Sequence, residues 1–126
     1  MAKVEVVASS DLSVATPVTP GMDRRVAFHD GVAWVGTVRT EPGVLTGWHS
    51  HPDHDTYLGV TTGQAVVEFG PEGRESLIAG PGDMIRIGRG VIHREGTAAG
   101  SNGVEAVLVR VGTGVVVENT DGPEPA

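Results

Sequence analysis

Gly43–Gly63 reads GVLTGWHSHPDHDTYLGVTTG, and it holds three of the chain's five histidines, His49, His51 and His54, within six residues. His49 and His51 are two positions apart, so on an extended strand they project from one face. Imidazole is the commonest protein ligand for divalent first-row metals, and a pair on one face can grip one ion. A third ligand has to come from elsewhere in the chain. His93, in GRGVIHREG (88–96), is the candidate.

Outward from that stretch, 19 Gly and 8 Pro punctuate 126 residues at short intervals, which favours short strands joined by turns over helices. Met1–Pro20 opens with VEVVA, read as a first strand, and continues as a Ser/Thr/Pro-rich arm. A short apolar run ends at His29, and Asp30-Gly31 makes a hairpin-type turn. Further strands are expected over Val32–Arg39, Leu45–His51, Tyr57–Val60, Gln64–Phe69, Ser76–Ala79, Met84–Ile87, Val91–His93, Val104–Val111 and Val115–Glu118. Thr97–Gly103 reads as a loop. Roughly nine to eleven strands with no amphipathic helix describe an all-β sandwich or barrel. The expected division is an arm over 1–20, a barrel over 21–118 and a flexible acidic tail over 119–126.

Composition narrows the chemistry. With no cysteine, thiol catalysis, disulfides and thiolate metal sites are out, so a metal must use nitrogen and oxygen ligands. A net charge of −7 argues against nonspecific binding to nucleic acid or acidic membranes. No apolar run has the length of a transmembrane helix and no signal-peptide core opens the chain, so a cytoplasmic protein is expected. No nucleotide-binding glycine loop, Ser-His-Asp arrangement or HExxH motif is present.

Gly43, His49, His51 and Gly63, followed by Gly82, Gly90 and His93, resemble the two signature motifs of the cupin family, small β-barrels of jelly-roll type. The resemblance covers Gly43–Thr97 and departs from the family in three places. Thr56 holds the position of the first motif's Glu, Gly88 that of the second motif's Pro, and Thr97 that of its Asn. The resemblance implies that His49, His51 and His93 converge on a divalent ion (Fe, Mn, Ni or Zn) in the barrel mouth. It also implies a homodimer, for which the Val4–Pro20 arm is the candidate contact.

Without a carboxylate at 56, three readings stay open. Water or substrate completes a three-histidine site, His54 or Asp55 supplies the fourth ligand, or the site has decayed and holds no metal. Asp55 sits at the shorter family spacing, but counting back from Gly63 turns Thr56 inward and Asp55 outward. Around the metal, His54, Thr56 and Tyr57 are candidate catalytic groups, and Trp34, Tyr57 and Arg86 candidate substrate contacts. Trp48 has the opposite register to His49 and reads as outer-face packing, and His29 as a rim residue. The resulting expectation is a metal-dependent enzyme acting on a small, oxygen-rich, anionic or chelating molecule. With no evident general base in the motifs, an oxygenase, such as a dioxygenase, leads, although His54 or Tyr57 could supply a base. An isomerase or cyclase, or a non-catalytic metal- or ligand-binding cupin, is the alternative.

Overall fold

Val104, Ala106 and Leu108 are buried, while Glu105 and Val107 between them face outward. This two-residue period is how a strand turns one face to a core and the other to water. Met84–Ile87 repeats it, with Ile85 and Ile87 turned inward. In a computed structural model of the chain, which describes residues 3–126, such strands form two antiparallel sheets. From edge to edge the first sheet runs β1 (Ser13–Val14), β2 (Met22–Asp30), β3 (Ala33–Thr40), β10 (Val104–Gly112), β5 (His54–Gly63) and β8 (Met84–Ile87). The second runs β11 (Glu118–Asn119), β4 (His49–Ser50), β9 (His93–Thr97), β6 (Ala65–Phe69) and β7 (Glu75–Ala79). The architecture is all-β, with the chain passing repeatedly from one sheet to the other, as the motif spacing implied. No helix among the described residues is long and apolar enough to cross a membrane.

Val60, Val67, Ala79, Ile85, Ile87 and Val104 form the apolar core between the sheets. Towards one end the filling changes character. Ala106 pairs with Val60 and Leu108 with Leu58, but the next inward pair is Arg110 with Thr56. Facing them from the other sheet, β4 and β9 bring His49 level with His93. The barrel is thus apolar at one end and polar at the other.

Gly63 is the corner at which the chain leaves the first sheet for the second. Its φ is +77°, and a Cβ there would lie 2.0 Å from the Gly103 carbonyl oxygen. Gly31, in the turn between β2 and β3, also has a positive φ (+53°), but open space surrounds it. Gly63→Ala is therefore expected to cost at least about 2 kcal/mol in urea unfolding, and Gly31→Ala only about 1 kcal/mol. Equal losses would mean that the corner tolerates a side chain.

Several elements differ from the sequence reading. The arm's VEVVA makes no strand: Val4 and Val6 are almost wholly exposed, because no strand among the described residues pairs with them. Met1 and Ala2 of that arm lie outside the described residues. Of Leu45–His51 only His49–Ser50 joins a ladder, while Leu45 makes an isolated bridge to Gly96. The strand expected to end at His93 instead begins there, since the Gly88–Gly90 turn extends through a bond from Val91 N–H to Gly88 O (3.3 Å). The tail read as flexible is tied to the barrel. Asn119 pairs with His49, Thr120 N–H donates to Trp48 O (3.0 Å), and Glu72 N–H donates to Glu124 O (2.6 Å).

Candidate metal centre

Pairing of β4 with β9 sets the His49 and His93 rings 4.4 Å apart, centroid to centroid. His51 joins them at 5.0 Å from His49 and 5.3 Å from His93. Strand alternation adds a fourth group: Glu95 lies two residues beyond His93 on the same face of β9. One ligand atom from each of His49, His51, His93 and Glu95 falls within 4.8 Å of the others. Opposed ligands of one ion are separated by roughly 4.2 Å at bonds of about 2.1 Å, so the group needs only a small contraction to close on a cation.

Backbone carbonyls fix the imidazole tautomers. Nδ1 of His49 lies 2.8 Å from Gly47 O, that of His51 2.7 Å from Val116 O, and that of His93 2.8 Å from Val91 O. A carbonyl oxygen only accepts, so each Nδ1 carries the proton and each Nε2 presents a lone pair. This orients a metal-binding histidine as its outer partners ordinarily do. Burial also disfavours the charged rings. It lowers His49 below its ordinary value and, with the nearby Arg110 charge, takes His51 down to about 4.

The donor set calls for a cation. His93 Nε2 lies 3.8 Å from Glu95 Oε2, and both atoms are buried without a protein hydrogen-bond partner. His49 Nε2 lies 3.9 Å from Glu95 Oε1. Lone pairs face lone pairs in a dry interior, an arrangement that a positive ion between them stabilises. His49, His51, His93 and Glu95 can together hold a divalent metal, with nitrogen and oxygen donors suited to Fe, Mn, Ni or Zn. The carboxylate would reduce the ion's charge to about +1.

The other first-motif candidates stand outside this group. Thr56 is turned inward and only 2% exposed, and its Oγ1 has no protein partner. His54 is buried on the same face of β5, but its Nδ1 lies 3.1 Å from Val115 O and the ring is not in the cluster. Asp55 points the other way and accepts from the Arg89 N–H and Nε–H, at 3.1 Å each. Those bonds hold its carboxyl below the ordinary carboxylate value. Neither His54 nor Asp55 joins the cluster: Asp55 falls in the outward register, and His54 is drawn towards the carbonyl of Val115.

No protein-family model matches the sequence, and no curated protein matches it. Solved structures do match its fold. The polyketide cyclase RemF from Streptomyces resistomycificus aligns at a TM-score of 0.75 and 21% identity, over 96% of this chain and 90% of that one. An uncharacterised Klebsiella pneumoniae protein with a double-stranded β-helix domain aligns at 0.72 and 17%, over 94% and 99%. A cupin superfamily protein from Desulfitobacterium hafniense aligns at 0.62 and 13%, over 79% and 84%. The chain has the cupin fold.

In this fold the candidate substrate contacts divide between the two faces of the first sheet. Tyr57 and Arg86 are paired across β5 and β8 on its outer face, where Tyr57 is 40% exposed and lines an outer groove with Met84 and Val107. Outward register removes both from the barrel interior. Trp34 lies on the inner face, level with Arg110, whose guanidinium carbon sits 5.6 Å from its ring centroid. Trp48 packs on the outside of the second sheet against Arg94, which pairs with Glu68. His29 is exposed at the end of β2. Inside, a narrow cavity of about 40 Å³ runs from the core to Glu95, walled by residues such as Leu58, Val60 and Leu108 and flanked by Arg24 and Arg110.

Glu95 is the member of the cluster that the motif reading passed over, although its signal was present. HRE carries the same i, i+2 spacing as HSH, and applying the strand period to it places Glu95 beside His93. The cluster's carboxylate thus stands on β9, with Thr56 at the position the motif gives to Glu.

Proposed function

We propose that this cupin is a metal-dependent enzyme that moves a proton on a small, oxygen-rich, chelating anion, as in an isomerisation or ring closure. The observation that carries this reading is the buried convergence of His49, His51, His93 and Glu95, with facing atoms that no protein group satisfies. A bound divalent ion would supply Lewis acidity towards a carbonyl or enol oxygen. The chain's own residues supply the rest. Three Nδ1–H donors hold the imidazoles in aim, Glu95 Oε2 offers lone pairs for the ion or for a substrate proton, and the apolar cavity wall limits water.

The expectation of an oxygenase rests on the want of a general base in the motifs. Glu95 removes that ground and shifts the balance to proton transfer. The likeness to RemF, a polyketide cyclase, lends this direction support through the fold it shares.

α-Ketoisovalerate, a small chelating anion with a slowly exchanging hydrogen beside its carbonyl, provides the test. The protein is loaded with Mn, Fe, Ni or Zn and incubated with it in D₂O under argon. Deuterium incorporation faster than with His93→Ala by at least about a hundredfold is the expected result. Oxygen consumption without anaerobic exchange would turn the reading to an oxygenase. Failure to retain any metal would leave a binding module or a structural barrel.

A further inference from the structure

Four buried side-chain atoms among the described residues have no hydrogen-bond partner: His93 Nε2, Glu95 Oε2, Thr56 Oγ1 and Arg110 Nε. A cation accounts for the first two. The other two are not metal-type donors facing each other, and they need a different explanation. Thr56 and Arg110 are direct cross-strand partners on β5 and β10, both on the inner face of the first sheet. Side chains so placed have Cβ atoms about 5 Å apart. One offers an N–H that can only donate, and the other a hydroxyl that can donate. Both suit the same oxygen acceptor.

We infer that Thr56 and Arg110 form an oxyanion subsite beside the metal centre, which binds the carboxylate of a small keto or hydroxy acid. The inference rests on the metal reading above for the ligand's second anchor. Its charge balance favours an anion. Arg110 and Arg24 flank one cavity in which Glu95 is the only acidic group, leaving positive charge in excess before any metal is bound. Arg24 is anchored through Thr19 Oγ1 at 2.9 Å rather than by an acid. Arg110 is supported on its other side by the Trp34 ring, which faces the cation and takes up no hydrogen-bond donor. The guanidinium is therefore held in place with bonding capacity to spare. The apolar wall of Leu58, Val60 and Leu108 suits a short branched hydrocarbon tail.

The departure from the family pattern at 56 acquires a role in this arrangement. A glutamate there would place a negative charge directly against Arg110 and fill the subsite. With the carboxylate on β9 instead, a hydroxyl stands at 56 and the arginine is left for the substrate.

The experiment titrates α-ketoisovalerate, and its uncharged methyl ester, into zinc-loaded and zinc-free protein by calorimetry. Zinc content is measured on each sample. Trp34 fluorescence in a Trp48→Phe background reports on the arginine independently of turnover. The acid is expected to bind and to change Trp34 emission, and the ester to bind far more weakly. Arg110→Met should weaken acid binding about tenfold to a hundredfold with zinc content unchanged, Thr56→Val by a smaller factor, and Arg110→Lys should restore part of the loss. If zinc is not retained at all, the metal reading fails. The subsite is then judged on the zinc-free protein, where the acid must still raise the melting temperature of wild type and not of Arg110→Met. Acid binding and melting shifts that are the same in wild type, Arg110→Met and Thr56→Val overturn the inference.

Discussion

Glu95→Gln is expected to lower affinity for a divalent ion by on the order of a hundredfold or more, since even outer-sphere partners of metal ligands are worth tenfold to a hundredfold. The substitution keeps shape and removes the only negative charge in the cluster. Equilibrium dialysis against zinc, with metal counted per protein, measures it. The metal-free protein should respond in the opposite sense. In wild type, Glu95 Oε2 and His93 Nε2 oppose lone pairs across 3.8 Å, whereas a glutamine amide can donate across that gap. The metal-free Gln variant should therefore melt no lower than metal-free wild type, and higher if the amide makes the bond. Asp55→Asn, which alters an outward-facing ion pair with Arg89, should leave metal content unchanged. Metal loss in the Asp55 variant, with Glu95→Gln at parity, would return the fourth place to Asp55.

The second large effect is acid sensitivity of the metal-free protein. Burial takes His51 from its ordinary value near 6.5 down to about 4, and His49 shifts in the same direction. A base whose folded value is depressed binds fewer protons folded than unfolded, so acid favours the unfolded chain. Stability from this source is complete above pH 6.5 and is lost as pH falls towards 4. His51 alone corresponds to about 3 kcal/mol across that window. Urea unfolding of metal-free protein at a series of pH values measures the slope. Bound metal, which requires the neutral ring, should displace the loss to lower pH. A flat profile between those limits would mean that the rings are solvated rather than buried. His51→Gln, neutral at every pH, should flatten the slope in part.

Much of the fold was legible because its signals are local. Gly and Pro mark the turns, and the turns at Gly80–Asp83 and Gly88–Gly90 are enough to bound Met84–Ile87 correctly. Residues that come together through topology were harder to read. Glu95 was missed because His93 was taken as the end of a strand, and β9 instead starts there and carries the alternation two residues further. Tyr57 and Arg86 looked like pocket residues by type, but register decides such questions, and one position along β5 or β8 separates core from solvent. Arg110 gave a usable hint: it continues the inward series Val104, Ala106, Leu108 with a charge where the pattern asks for another apolar side chain. Nothing in the sequence indicated that Val115 and Val116 lend carbonyls to His54 and His51, since those contacts join residues more than sixty positions apart.

That last contact bears on how the protein matures in the cell. A nascent chain carries all four cluster residues once Glu95 has emerged, yet His51 lacks its Val116 prop, and His49 its neighbouring strand β11, until residues 116–119 have emerged as well. High-affinity capture of an ion by this cluster would therefore wait on residues well downstream of the four that would hold it. Chains arrested between those points would be expected to meet metal half-built and poorly selective.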